Sequence, residues 1–270
     1  MAAFRTNHLA ALALAASLAV GAAACGSSGG SDSGSGSSGS GDSASGTTWK
    51  VCSDIPYEPF EMEGEGPRGL KYTGFDIELM DAMAKSMGDK LQVLDVEFDG
   101  ILGNLASGKC DVVASSLTIT PERQKQVDFT KPYFDADQSL LVTNESGVKS
   151  LDDLKGKTIG VQAGTTGETY ANDHKPDGAT VKSFPDTTGL FAAISSGGIQ
   201  AVLQDLPVNA GRVAEDDTVQ VVETYKTNEQ YGFAVKKGSD LKADLDKALA
   251  STKSDGTYDD LYEKYFPKAS

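Results

Sequence analysis

Gly100–Ser116, GILGNLASGKCDVVASS, and Gly189–Asp205, GLFAAISSGGIQAVLQD, are written to one plan. Each opens on a glycine and a helix-period apolar stretch, turns through small residues, runs on as a short apolar strand and ends in polar side chains. A helix that feeds a strand is part of a parallel α/β unit. Two copies well apart in the chain predict two lobes of similar build. In open parallel sheets ligands sit outside the carboxyl ends of the strands, so the polar endings of the two copies predict opposite walls of one cleft.

The surrounding sequence extends each copy. Before the first lie WKVC as a strand, FDIELMDAMAKSMG as an amphipathic helix with Ile77, Met80, Met83 or Ala84, and Met87 on one face and Gly88 as its stop, and LQVLDVEF as a second strand. After it, Thr120 is an N-cap and Pro121 a first helical residue, which places Arg123 in the opening turn of a short helix. The second series starts at LDDLKGKTIGVQAGTTGETY, with Lys157–Gln162 a strand and Gly164-Thr165-Thr166-Gly167 turning into a helix.

The first part of the chain reads differently. Leu9–Ala24 is an apolar run behind Arg5, short for a membrane span and ending in small residues, as a secretory signal peptide does. Cys25 follows Ala22-Ala23-Ala24, which suits either ordinary cleavage or lipidation of Cys25; the stretch resembles a bacterial lipobox in which Ala22 stands where leucine is usual. Residues 25–48 are mostly Ser and Gly, a flexible tether of about 25–30 Å root-mean-square span. The expectation is residues 1–24 as signal peptide, 25–48 as tether and a folded part from Trp49.

With 24 Lys and Arg against 39 Asp and Glu, a net charge of −15, and no basic cluster, the sequence argues against nucleic acid as a partner. In an exported protein Cys52 and Cys110 are expected to pair, the alternative being two small buried side chains. His174 is the only histidine beyond the leader, so a Ser-His-Asp triad or a zinc site is poorly supplied; neither metal nor cofactor is expected. Gly64-Glu65-Gly66-Pro67-Arg68-Gly69 spells GxGxxG but follows no strand and opens no helix, so it is not read as a dinucleotide site.

The strand ends supply the candidate site. Asp54, Ser115, Ser116, Thr118 and Arg123 come from the first series, and Gln162, Thr165, Thr166 and Asp205 from the second. Arg123 offers a donor fork for a carboxylate, the helix start at Thr165-Thr166 favours an anion, and Asp205 offers the opposite charge. A cation on one wall and an anion on the other suit a zwitterion. Tyr57 and Phe98 follow first-lobe strand ends and could cover two faces of a ligand side chain. Each has an ordinary alternative: Arg123 paired with Glu122 or Asp128, Asp205 or the threonine pair capping helices, the serines ending a strand, the aromatics in the core.

The motifs SDIPYEPFE, GFDIELMDAMAKSMG, FDGILGNLASGKCDVV, SSLTITPERQKQVDFTKPYF, LKGKTIGVQAGTT and AVLQD, in that order from Val51 to Phe266, resemble the polar amino-acid-binding proteins of ABC importers, the lysine/arginine/ornithine- and glutamine-binding type. The resemblance implies an α/β, two-lobed, periplasmic-binding-protein-like fold of type II: two parallel-type sheets flanked by helices and joined by a two-segment hinge near Asp135–Leu141 and Thr227–Phe233. Lobe 1 would be discontinuous, residues 49–136 and 231–270, and lobe 2 would be 137–230. By motif, Arg123 with Thr118 and Thr166 would hold an α-carboxylate, Asp205 with Ser116 an α-ammonium, Tyr57 and Phe98 the side chain, and Asp54 its distal end. Gln162 and Gly167 depart from the basic-amino-acid relatives at the side-chain pocket, and Gln204 is a further candidate to reach it.

The expected function is an extracytoplasmic, Cys25-anchored substrate-binding protein. It would work as a monomer on the outer face of the cell membrane, or be secreted or periplasmic if unanchored, and pass a polar amino acid to an ABC permease. Asp54 favours a cationic or amide side chain unless a cation such as Lys71 intervenes. Two rivals remain at this stage. One is a ligand-sensing subunit of the same fold; the other is a cyclohexadienyl-dehydratase-like enzyme using Glu58 as general acid.

Overall fold

In the computed structural model, residues 46–267 are described; Cys25, the signal peptide and most of the tether lie outside them. The first series builds β1 (Thr48–Ser53), a small hairpin of β2 (Met62–Glu63) and β3 (Tyr72–Thr73), α1 (Phe75–Ser86), β4 (Lys90–Asp95), α2 (Ile101–Ser107), β5 (Val112–Val113), α3 (Pro121–Gln124) and β6 (Val127–Phe129). The expected α1 face is buried at Ile77, Met80, Met83 and Ala84, and Gly88 sits at φ 80° just past the helix end. The GxGxxG stretch is the loop of the β2–β3 hairpin, tied down where Arg68 donates to Asp81.

β5 is much shorter than CDVVASS led one to expect. Only Val112 and Val113 join the ladder with β1. The Ala114 amide still bonds to Cys52 O at 3.1 Å, and two residues further on Ser116 takes φ 47° and turns the chain across the strand end. The disulfide between Cys52 on β1 and Cys110 before β5 holds this corner, with Cα atoms 5.7 Å apart.

The second series builds β7 (Phe134–Thr143), β8 (Thr158–Gln162), α4 (Thr166–His174), β9 (Thr180–Phe184), α5 (Thr187–Ser195), β10 (Ala201–Asp205), α6 (Leu206–Glu215) and β11 (Val219–Tyr231). The chain then returns as β12 (Ala234–Lys236), α7 (Leu241–Ser254) and α8 (Thr257–Tyr265). Two five-stranded sheets result, ordered β4-β1-β5-β12-β6 and β11-β7-β10-β8-β9. Strands linked by crossover helices pair in parallel. β12 is antiparallel to β5 and β6, and β7 antiparallel to β10, because these strands enter from the other sheet.

β7 and β11 run antiparallel from Phe134↔Tyr231 to Thr143↔Val219, and the chain passes between the two sheets just before β7 and just after β11. Their lower ends are rooted in a ring cluster: Phe60 meets Phe134 edge-on at 4.9 Å and Tyr231 at 5.3 Å. Above this root the register slips between Tyr225 and Glu229, where Asn228 has φ 54°.

Candidate functional site: a cleft between the lobes

Both sets of strand ends meet. Tyr57, Phe98, Ser116, Thr118 and Arg123 from the first lobe and Gln162, Thr165, Thr166 and Asp205 from the second line one narrow cavity of only about 10 Å³. Of the candidates, Asp54 and Ser115 stand behind this lining, and Gln204 does not reach it. Asp54 Oδ2 accepts from Gln162 Nε2 at 2.6 Å, and Ser115 Oγ accepts from the Asp54 amide at 3.0 Å. Ser115 thus supports the site from beneath, through Asp54.

Arg123 is placed by the short helix α3. Thr120 Oγ1 accepts from the Arg123 amide at 3.2 Å, the N-cap read from the sequence. The guanidinium donates to Thr118 O at 2.8 Å and, across the cleft, to Gly164 O at 3.0 Å, and lies 5.4 Å from the Phe98 ring centre. It forms no pair with Asp128, which is bound to Lys237 at 2.7 Å. Burial pulls its pKa down from the ordinary value, while Asp205 and Glu229 act against that.

Asp205 ends β10 and precedes α6, yet its side chain makes no cap. Instead it accepts from the hydroxyls of Tyr57, at 2.8 Å, and Tyr231, and from Gln138 Nε2. Burial, with Glu229 adding repulsion, pushes it up to about 6 against those hydrogen bonds. Asp54 is pushed up to about 7, by burial first, with the Gln162 hydrogen bond opposing and Asp95 and Asp186 adding to the rise. Thr165 does cap α4, accepting from the Glu168 amide at 3.1 Å, so its hydroxyl serves the helix start while still lining the cavity.

Three residues at the site had not been singled out. Glu229 Oε2 accepts from Thr166 at 2.6 Å and from Thr118 and Gln138 at 3.2 Å, bridging both lobes from the hinge. Gln138 and Tyr231, also on hinge strands, hold Asp205. The two connections between the sheets were legible; the face of β7 and β11 that meets the site was not, since β11 alternates polar residues on both faces. Gln204 is corrected. Consecutive strand residues point oppositely, so beside Asp205 it faces away, donating to Asn209 Oδ1 at 3.1 Å. Gly167 is a packing position: a Cβ there would meet Gln138 Oε1 and Leu203 O at 3.0 Å. Glu58 lines a separate cavity with Pro56, Phe191, Arg212 and Glu215, away from this cleft.

The family model of bacterial extracellular solute-binding proteins, family 3, matches residues 49–268. The chain belongs to this family. The solute-binding protein is 34% identical over 222 residues, 81% of this chain and 84% of the other, to a probable histidine-binding protein of Campylobacter jejuni. It is 34% identical over 214 residues, 78% of this chain and 82% of the other, to the arginine-binding extracellular protein ArtP of Bacillus subtilis. Among solved structures, an ancestral arginine-binding protein bound to glutamine is 42% identical, with TM-score 0.76 over 82% of this chain and 98% of its own. The fold is the two-lobed α/β fold of type II periplasmic binding proteins, with mixed sheets flanked by helices.

Proposed function

We propose that this solute-binding protein captures a polar L-amino acid between two closing lobes and delivers it to an ABC permease. The lobes are residues 49–136 with 231–270, and 137–230. One observation carries the reading: Arg123 and Asp205, from opposite lobes, line a single cavity with Thr118 and Thr166 between them. Arg123, Thr118 and the α4 start at Thr166 hold the carboxylate; Asp205 and Ser116 hold the ammonium; Tyr57 and Phe98 flank the side chain.

The cleft groups bond to each other across the lobes, as Arg123 to Gly164 O, Tyr57 to Asp205 and Gln162 to Asp54. A ligand replaces these contacts with its own, and because it touches both lobes only when they are together, it shifts the hinge equilibrium towards closure.

A cationic or amide side chain fits best. At the distal end stand the Asp54 carboxylate and Gln162, whose Oε1 is buried and meets no donor. Asp54, Asp205 and Glu229 outweigh Arg123 in charge, which favours a side chain rich in N–H groups over an acidic one. The resemblance to proteins named as arginine-binding supports the same class. One solved relative, 41% identical, is an ancestral amino acid-binding protein described as a precursor of cyclohexadienyl dehydratase. Glu58 lies outside the cleft, so we read the protein as a binder and not as an enzyme.

Export, lipidation at Cys25 and action as a monomer at the outer face of the cell membrane complete the proposal. The test is calorimetric titration of the purified protein, unfolded and refolded to strip bound ligand, against the twenty amino acids, ornithine and citrulline. Saturable binding of a basic or amide amino acid is expected. Preference for glutamate or aspartate refutes the assigned side-chain class, and silence from folded protein refutes amino-acid capture. Cys25→Ser should release the protein from membranes on fractionation; retention in the membrane pellet refutes the anchor.

A further inference from the structure

Beneath the cavity lies a pair of acids that none of the roles above uses. Glu61 and Asp76 are both 0% exposed, and both close on Ser116. The Ser116 amide donates to Asp76 Oδ2 at 2.9 Å, and its hydroxyl donates to Glu61 Oε1 at 3.1 Å and Oε2 at 3.3 Å. Tyr133 adds a third donor, 2.5 Å from Asp76 Oδ2. Asp76 Oδ1 is buried and meets no donor. Ser116 is itself 3% exposed, lines the cavity and has φ 47°, a left-handed conformation that a side chain rarely adopts unless neighbours impose it.

Two buried carboxylates within hydrogen-bond reach of each other repel strongly when both are ionised, and one proton between them removes the repulsion. The hydrogen bonds say which acid holds it. Asp76 receives an amide and a phenol, the setting of an ionised carboxylate; Glu61 receives one hydroxyl. We propose that Glu61 and Asp76 share one proton, carried by Glu61, and that the pair sets the conformation and hydrogen-bond polarity of Ser116, making Glu61 a positioning residue for the ligand's ammonium group.

A hydroxyl has one proton to give. Ser116 spends it on Glu61, so what it turns to the cavity is acceptor lone pairs, which suit an ammonium and not a carboxylate. Burial, the Asp76 charge and the more distant Asp54 all push the Glu61 pKa well above the ordinary value, while the Ser116 hydrogen bond opposes them; Asp76 is pushed up only to about 6.

The inference rests on the proposed ligand only in its second half, and the experiment separates the two. In ligand-free protein, carboxyl carbon shifts assigned with Glu61→Gln and Asp76→Asn should show Glu61 protonated and Asp76 ionised at pH 7; an ionised Glu61 overturns the shared proton. Binding of L-arginine and of its des-amino analogue, 5-guanidinopentanoic acid, is then titrated. Glu61→Gln, whose amide can donate to Asp76 and accept from Ser116, should bind both much as wild type does. Glu61→Leu leaves the Ser116 proton unspent and should lose roughly tenfold for L-arginine, the effect of one hydrogen bond to a charge, and little for the analogue. Equal losses for both ligands in Glu61→Leu, or an equally large loss for L-arginine in Glu61→Gln, overturn the positioning role. Failure of wild type to bind L-arginine refutes arginine as the ligand, and the carboxyl shifts then decide the shared proton independently.

Discussion

Arg123→Ala removes the guanidinium that faces Asp205 across the cavity. The turn carrying it should survive, because Thr120 caps the Arg123 backbone amide and not its side chain. Two charge-assisted hydrogen bonds to a carboxylate are together worth about 3–6 kcal/mol, and taking one partner from a buried ion pair costs about 3–5 kcal/mol. A loss near 4 kcal/mol weakens L-arginine binding by about a thousandfold. The guanidinium also bridges the lobes through Gly164 O, so part of any loss reflects weaker closure. Titration with agmatine, which keeps the side chain and amine but lacks the carboxylate, separates the two effects, since weaker closure penalises both ligands alike. The expected outcome by calorimetry is a loss for L-arginine about a hundredfold larger than for agmatine. Equal losses for the two, or L-arginine affinity within a few-fold of wild type, would refute the carboxylate assignment.

Asp54→Asn should lower affinity for arginine by roughly tenfold or more and affect glutamine less, because it removes a charge that only a cationic side chain uses; competition between the two ligands measures the change, and an unchanged ratio would count against Asp54 at the distal end. Asp54 at about 7, and Asp205 and Asp76 at about 6, all lie above the ordinary carboxyl value of 3.8, so the folded protein binds more protons than the unfolded chain between those limits. Ligand-free stability should therefore rise as the pH falls from about 7 towards 5, while affinity for a cationic ligand falls over the same range. Melting curves with and without L-arginine follow both trends, and a ligand-free melting temperature that drops steadily on acidification would contradict the buried-carboxyl account. Replacing Cys52 and Cys110 with alanine opens a link across a sequence separation of 58 and should cost about 4 kcal/mol, or about 8–16 °C in melting temperature; a shift below a few degrees would show that the corner is held by packing alone.

Much of this molecule is written locally. The α1 stripe from Ile77 to Met87, the Thr120-Pro121 start that aims Arg123, the Thr165 cap and the repeated helix-strand plan each depend on neighbours within a few residues, and period and capping chemistry expose such relations. The two-lobed architecture with two connections between the sheets was likewise legible, from the resemblance. What only the assembled fold decided was the polarity of the site: that Glu229, Gln138 and Tyr231 on the hinge strands face Asp205 and the threonines, that Gln204 faces away, and that Ser115 supports Asp54 from behind. The same holds for Asp76, which looks like an ordinary first-turn acid of an amphipathic helix and is instead fully buried against Glu61 and Ser116. Gln204 to Asn209 aside, hydrogen bonds behind these relations join residues 26 to 67 positions apart. Burial and pairing at such separations arise when two sheets are brought face to face, and no period within one element carries them.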